Sequence, residues 1–167
     1  MKKVFALFLL PLILTLSACA VKQANALETI ECPAAPTTPN FYLTADYPAD
    51  AVLVSSSDEG RSAAFLHEDY TLIQEVFSAD SLDDALLRVT GRPASELEVL
   101  RVSSFPQEEY RFAWTATGEE GDLACSAALF SDGEYYYALS SVCDAAHEKE
   151  YRTTFSDLFA SAELTAV

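Results

Sequence analysis

Three apolar segments, 110–117, 123–131 and 134–142, follow one another with little more than Gly118-Glu119-Glu120-Gly121 and Asp132-Gly133 between them. Segments of this length with β-branched and aromatic residues read as strands, and joints this short leave only antiparallel neighbours. Asp-Gly is a hairpin signal because both positions of a two-residue turn take positive φ. With both turns taken as symmetric, Tyr110 is predicted opposite Leu129 and Tyr136. Phe112 falls opposite Ala127 and Ala138, and Trp114 opposite Cys125 and Ser140. One face then sets large rings beside small residues, which suits a tightly filled sheet. The other face carries Ala113, Ala128, Phe130, Tyr135, Tyr137 and Leu139. It is apolar as well, so a second layer is expected to cover it.

A closing helix over about residues 147–160 supplies that layer. Tyr151, Phe155, Leu158 and Phe159 stand at i, i+4, i+7 and i+8, one helical face, with Asp144 placed to cap its start. A second helix opens at Ser81-Leu82-Asp83-Asp84. Ser81 can cap the free N–H groups, and Asp84 holds the capping-box position three residues on. Leu82, Ala85, Leu86 and Val89 share a face, Gly91 suits the C′ position, and Pro93 cannot continue the turn. Short strands are expected at 41–46 and 51–55 around Tyr47-Pro48-Ala49-Asp50. Others are expected at 62–67 and 70–78 around Glu68-Asp69, at 97–104, and over 163–166. The fold class is α+β, an antiparallel β-sheet flanked by helices as an α/β/α sandwich.

The chain has 167 residues with 26 acidic and 10 basic side chains, a formal charge of −16, and it is 50% hydrophobic. That is too apolar for a disordered acidic tail and enough chain for one core. The acidity excludes a nucleic-acid binder, because phosphates would repel it at every encounter.

The first nineteen residues read as an address. Met1-Lys2-Lys3 is a basic start, residues 4–16 are an apolar run, and Leu16-Ser17-Ala18-Cys19 follows. A basic n-region, an apolar h-region and a small-residue cleavage site make a secretory signal. The run is shorter than the roughly 20 apolar residues that span a bilayer. Cys19 directly after Leu-Ser-Ala resembles the lipobox of bacterial lipoproteins. The resemblance implies cleavage before Cys19 and lipidation of its thiol, so the expected localisation is the extracytoplasmic side of a cell membrane, lipid-anchored. Loss of residues 1–18 would leave 149 residues with eight basic and 26 acidic side chains, a charge of −18. Residues 19–39, with Pro33, Pro36 and Pro39 and no helical or strand period, form the lipidated Cys and a tether. Residues 40–167 form a single globular domain.

Cys32, Cys125 and Cys143 remain. A Cys125–Cys143 disulfide is one candidate pairing, but a regular hairpin around Asp132-Gly133 sets Cys125 against Ser140 and Cys143 against Asp122. The two thiols are then three residues out of register on opposite faces, about 10 Å along the strand against the 7 Å limit between bridged Cα atoms. A bulge or an early strand end would permit the bond, and a bond from Cys32 is a further alternative. No catalytic, phosphate-binding or dinucleotide motif is present, and the thiols share no ligand spacing with His67 or His147. No cofactor or metal is expected. Glu119-Glu120-Gly121-Asp122 lacks the alternating ligand order of a calcium loop. Tyr135 and Tyr137 share the face beneath the closing helix. Left uncovered, they would form an aromatic interaction surface with hydroxyl handles.

The order of Phe41-Tyr42-Leu43 before Tyr47-Pro48-Ala49-Asp50, the Ser-Leu-Asp-Asp-Ala-Leu helix, the meander and the closing helix is similar to the PsbP/Mog-like fold. So is the end, with Phe155, Leu158, Phe159 and Ser161 before a short apolar strand. Members of that superfamily mostly act as accessory or binding proteins. The resemblance implies a non-enzymatic role and carries over no functional residue. The expected function is a lipid-anchored accessory or binding module acting on a protein or envelope partner. The alternative is a small envelope hydrolase, which needs His67 or His147 in a concave pocket beside a carboxylate.

Overall fold

Strand alternation decides how the layers form. The computed structural model describes residues 39–57, 61–103, 107–119 and 121–167. The order is β1 (Phe41–Thr44), β2 (Val52–Ser56), β3 (Ser62–Leu66), β4 (Tyr70–Phe77), α1 (Leu82–Thr90), β5 (Val99–Ser103), β6 (Glu108–Thr117), β7 (Asp122–Ser131), β8 (Tyr136–Asp144), α2 (Glu148–Ser161) and β9 (Glu163–Ala166). A 3₁₀ turn, Ala94–Glu96, lies between α1 and β5. Seven strands form one sheet in the order β2-β3-β4-β8-β7-β6-β5, and β1 pairs with β9 apart from it. All of the pairings are antiparallel.

The β6–β7 register is the predicted one: Phe112 faces Ala127 and Trp114 faces Cys125. The β7–β8 register is not. Leu129 faces Ala138, Ala127 faces Ser140 and Cys125 faces Val142, a slip of two residues from the expected pairing. The cause is the turn. Asp132 Oδ1 accepts from the N–H groups of Glu134 and Tyr135 at 2.9 and 2.7 Å. Its own N–H reaches Tyr135 O at 3.3 Å. The side chain thus builds a four-residue loop, 132–135, in place of a two-residue turn. Gly133 still takes positive φ, +92°. A slip of two preserves face parity, so the predicted division of side chains survives it.

One face packs Phe77, Tyr110, Phe112, Ala127, Leu129 and Ala138 against Ala85 and Leu86 of α1. The opposite face packs Leu72, Ala128, Phe130, Tyr137 and Leu139 against Phe155, Leu158 and Phe159 of α2 and Leu43 of β1. Each fully buried leucine contributes roughly 1.5–3 kcal/mol. The flanked sandwich is realised only in part. The sheet dominates, α1 is nine residues long, and the β1–β9 pair shares the second outer layer with α2. Ser126 and Ser141 hydrogen-bond to each other at 2.8 Å on that side, so the polar pair within the layer is satisfied.

The helix ends follow local chemistry. Ser81 accepts from Asp84 N–H at 3.1 Å and donates to Asp84 Oδ2 at 2.6 Å, and Gly91 closes α1 at φ +70°. At α2 the N-cap is His147, with no side-chain cap bond. Asp144, expected to cap the helix, instead accepts from Ala146 N–H at 2.8 Å and stabilises the turn before it. Arg111 ties the far end down. It donates to Phe159 O at 2.7 Å and pairs with Glu109 at 2.6 Å.

Candidate functional site

The face that would have been an aromatic surface if left uncovered is closed. Tyr135 and Tyr137 are both buried, Tyr137 completely. Leu43, Leu158 and Phe159 belong to the same cluster, and Phe41 meets the Tyr137 ring edge-on at 6.5 Å. The Tyr137 hydroxyl donates inward, to Asp132 Oδ2 at 2.7 Å. Burial first, then that hydrogen bond, pushes its phenol well above the usual range. These residues are core, because the β1–β9 pair finishes the cover that α2 begins. Tyr136, on the other face, stacks on Phe77 at 6.1 Å.

Cys125 and Cys143 are free thiols. They sit on adjacent strands one residue out of register, Cys125 opposite Val142 and Cys143 opposite Ala124. Adjacent positions of a ladder point to opposite faces, so the closer register brings the backbones near without bringing the sulfurs together. Burial pushes the Cys125 thiol up to about 11, and the Cys143 thiol is also raised, by burial first. Both are poor nucleophiles near neutral pH. Cys19 and Cys32 lie outside the described residues.

The two histidines part company. His147 is an exposed helix-start residue. His67 is drawn into a constellation that its sequence neighbours do not disclose. It directly follows β3, and its backbone N–H bonds Tyr70 O at 2.9 Å across the Glu68-Asp69 turn. Its ring stacks on Tyr70 at 4.2 Å and 12°. Nδ1 accepts from the Asp69 N–H at 3.1 Å. Nε2 lies 3.4 Å from Asp50 Oδ2, on the loop before β2. The Tyr70 hydroxyl donates to the other Asp50 oxygen at 3.3 Å. Tyr151 of α2 closes the group, edge-on to both rings, its hydroxyl donating to Asp69 Oδ2 at 2.7 Å. That hydrogen bond, ahead of burial, raises the Tyr151 phenol. Burial, then the charge and hydrogen bond of Asp50, pushes Tyr70 up to about 12.

A histidine beside a carboxylate is what the hydrolase reading required, and the structure brings one together. The geometry does not suit general-base work. A neutral imidazole has one acceptor nitrogen, and Asp69 N–H occupies it. The remaining nitrogen then carries its proton toward Asp50 and has no lone pair for a substrate. Among the described residues, no group of three or more His, Cys, Asp or Glu side chains is placed to hold a metal ion.

Exposed apolar surface gathers instead at the sheet edges, which the sequence pattern did not mark. Val52, Leu53 and Val54 of β2 are 63%, 53% and 50% exposed. At the opposite edge, Leu100 and Val102 of β5 are also exposed. Both edge strands carry a register shift, at Leu53/Ser55 and Arg101/Ser103, which limits unspecific strand addition. The only sequence signal was the unalternating run Ala51-Val52-Leu53-Val54. A continuous apolar run ordinarily means burial on both faces, so it pointed the wrong way.

Searches with the sequence found no matching family model and no matching curated protein. Comparison of structures did find likenesses. The solution structure of cyanobacterial PsbP (CyanoP) from Synechocystis sp. PCC 6803 aligns with a TM-score of 0.54 at 11% identity, covering 87% of this chain and 99% of that one. A protein from Bacteroides thetaiotaomicron aligns at 0.50 and 12% identity, over 74% of this chain and 45% of the other. LpqN of Mycobacterium tuberculosis, described as involved in cell envelope biogenesis, aligns at 0.49 and 9% identity, over 75% and 84% of the two chains. The likeness to CyanoP spans nearly all of that protein and gives this chain a PsbP-like fold. At this identity it speaks of fold alone.

Proposed function

We propose that this protein is a lipid-anchored extracytoplasmic accessory protein that binds a protein partner and performs no catalysis. The observation that carries the reading is the order of the first nineteen residues: basic start, short apolar run, then Leu16-Ser17-Ala18-Cys19. With cleavage before Cys19 and a diacylglyceryl group on its thiol, two acyl chains hold the protein at the membrane, where one would bind only marginally. No helix among the described residues is long and apolar enough to cross a membrane.

The domain supports a binding role through its edges. A partner's extended segment can lie along Val52-Leu53-Val54, where apolar side chains already stand exposed. Residues 40–167 carry 24 acidic and seven basic side chains, so a basic segment is favoured and a second copy of the chain is opposed by charge. The hydrolase alternative is disfavoured by the engaged ring nitrogens of His67 and the exposed position of His147. The direct test is mass spectrometry of the full chain from membranes, with phase partitioning in detergent. Wild-type protein is expected in the detergent phase with acylated Cys19, and Cys19→Ala in the aqueous phase. Equal partitioning of the two, or an unmodified thiol, overturns the anchor. Loss of a captured partner in Leu53→Lys, with anchoring intact, separates the binding role from it.

A further inference from the structure

We propose that His67 is a proton-operated latch between the β3–β4 turn and the first turn of α2. The structure links the two in three steps. His67 Nδ1 holds the Asp69 N–H at 3.1 Å. That bond orients the Asp69 residue. Its carboxylate in turn accepts the Tyr151 hydroxyl at 2.7 Å, 82 residues away in sequence. The first step works only while Nδ1 is a lone pair, because imidazolium carries a proton on both nitrogens. Protonation at Nδ1 sets N–H against N–H, so the bond from Asp69 breaks and the turn must open or the ring rotate. Opening of the turn carries the Asp69 carboxylate away from Tyr151, whereas rotation of the ring alone would leave that bond in place.

Charged and aromatic groups face the ring from each neighbouring element. Asp50 faces Nε2 from the loop before β2. Glu68 and Asp69 stand in the turn itself. Tyr70 contributes a ring face beneath the imidazole, a setting that also suits a cation. Tyr151 approaches from α2, with Glu150 next to it in sequence and Arg152 engaged by Glu148 at 3.1 Å. A proton on the ring exchanges one neutral hydrogen bond for contact with a carboxylate at Nε2. Such an exchange makes a two-state element that a proton can bias. The latch does not depend on the anchor, since it resides wholly in residues of the folded domain.

The test is proton–nitrogen NMR of the full chain in detergent across the imidazole range. The His67 Cε1 proton, the Asp69 amide and the Tyr151 amide are expected to titrate with one midpoint. Protection of the Asp69 amide, corrected for intrinsic exchange, should fall by about tenfold on acidification, the worth of one hydrogen bond. His67→Asn is the locked variant: its side-chain oxygen can accept the same N–H and does not titrate. There the Asp69 and Tyr151 midpoints should vanish with the fold retained. In Tyr151→Phe the Asp69 amide should still titrate while the α2 amides become silent. Independent midpoints in wild type, or an unchanged Asp69 titration in His67→Asn, overturn the latch.

Discussion

Removing the Tyr137 hydroxyl tests the buried turn that sets the sheet's register. In Tyr137→Phe the ring stays in its fully buried site and only the bond to Asp132 Oδ2, 2.7 Å long, is lost. A hydrogen bond to a charged group is worth about 1.5–3 kcal/mol. The Asp132 carboxylate keeps its two backbone donors, Glu134 and Tyr135, so the lower end applies, about 1.5 kcal/mol. Asp132→Ala removes all three bonds and should cost about 3 kcal/mol. The two substitutions share one interaction, so the double variant should fall short of their sum by about 1.5 kcal/mol. The assay is urea unfolding. With a slope of roughly 1.5 kcal/mol per molar for a domain of this size, Tyr137→Phe should lower the midpoint by about 1 M at constant slope. An unchanged midpoint, or strictly additive losses, would refute the account of Asp132 as the residue that builds this turn.

Further outcomes follow from the same structure. Burial pushes the Tyr47 and Tyr70 phenols up to about 12, so between about pH 10, where exposed tyrosine ionises, and about 12 the folded state retains protons that the unfolded chain has released. Stability should therefore be intact below about pH 10 and fall as pH rises through that window. Urea melts on either side of it, with tyrosinate absorbance as a second probe, check the sign. Both Cys125 and Cys143 should resist a thiol reagent in the native protein and react as two free thiols in urea; a mass two hydrogens lighter, with both refractory, would contradict the opposite-face geometry. Gly91→Ala places a Cβ in open space, but at φ +70°, so it should cost about 1–2 kcal/mol by conformation alone, read by thermal unfolding. Arg111→Met removes the bond to the Phe159 carbonyl of α2 and leaves Glu109 without its ion-pair partner, so it should destabilise by about 1.5–3 kcal/mol, more than loss of a surface arginine would.

Much of the domain was legible in the residues. Strand alternation placed Phe112, Ala127 and Leu129 on one face, and Ala128, Phe130 and Leu139 on the other. Ser81, Asp84 and Gly91 bounded α1, since caps act within a few residues of themselves. The Glu68-Asp69 turn and the β6–β7 register were equally local. The β7–β8 register was not, because the Asp132 side chain reorganised its own loop, though a slip of two left every residue on its expected face.

What tertiary structure alone decided depends on segments distant in the chain. The β1–β9 pair joined α2 over Tyr135 and Tyr137 by pairing across more than a hundred residues, a part of the cover that no periodicity announces. Val52, Leu53 and Val54 became exposed because β2 lies at the end of the strand order, and a run of apolar residues does not state its place in a sheet. His67 and Asp69 share one turn, but Asp50 and Tyr151 met them only when three separate segments converged. Sequence fixes what a residue can do with its neighbours along the chain; strand order and long-range pairing determine which surfaces remain open and which side chains meet.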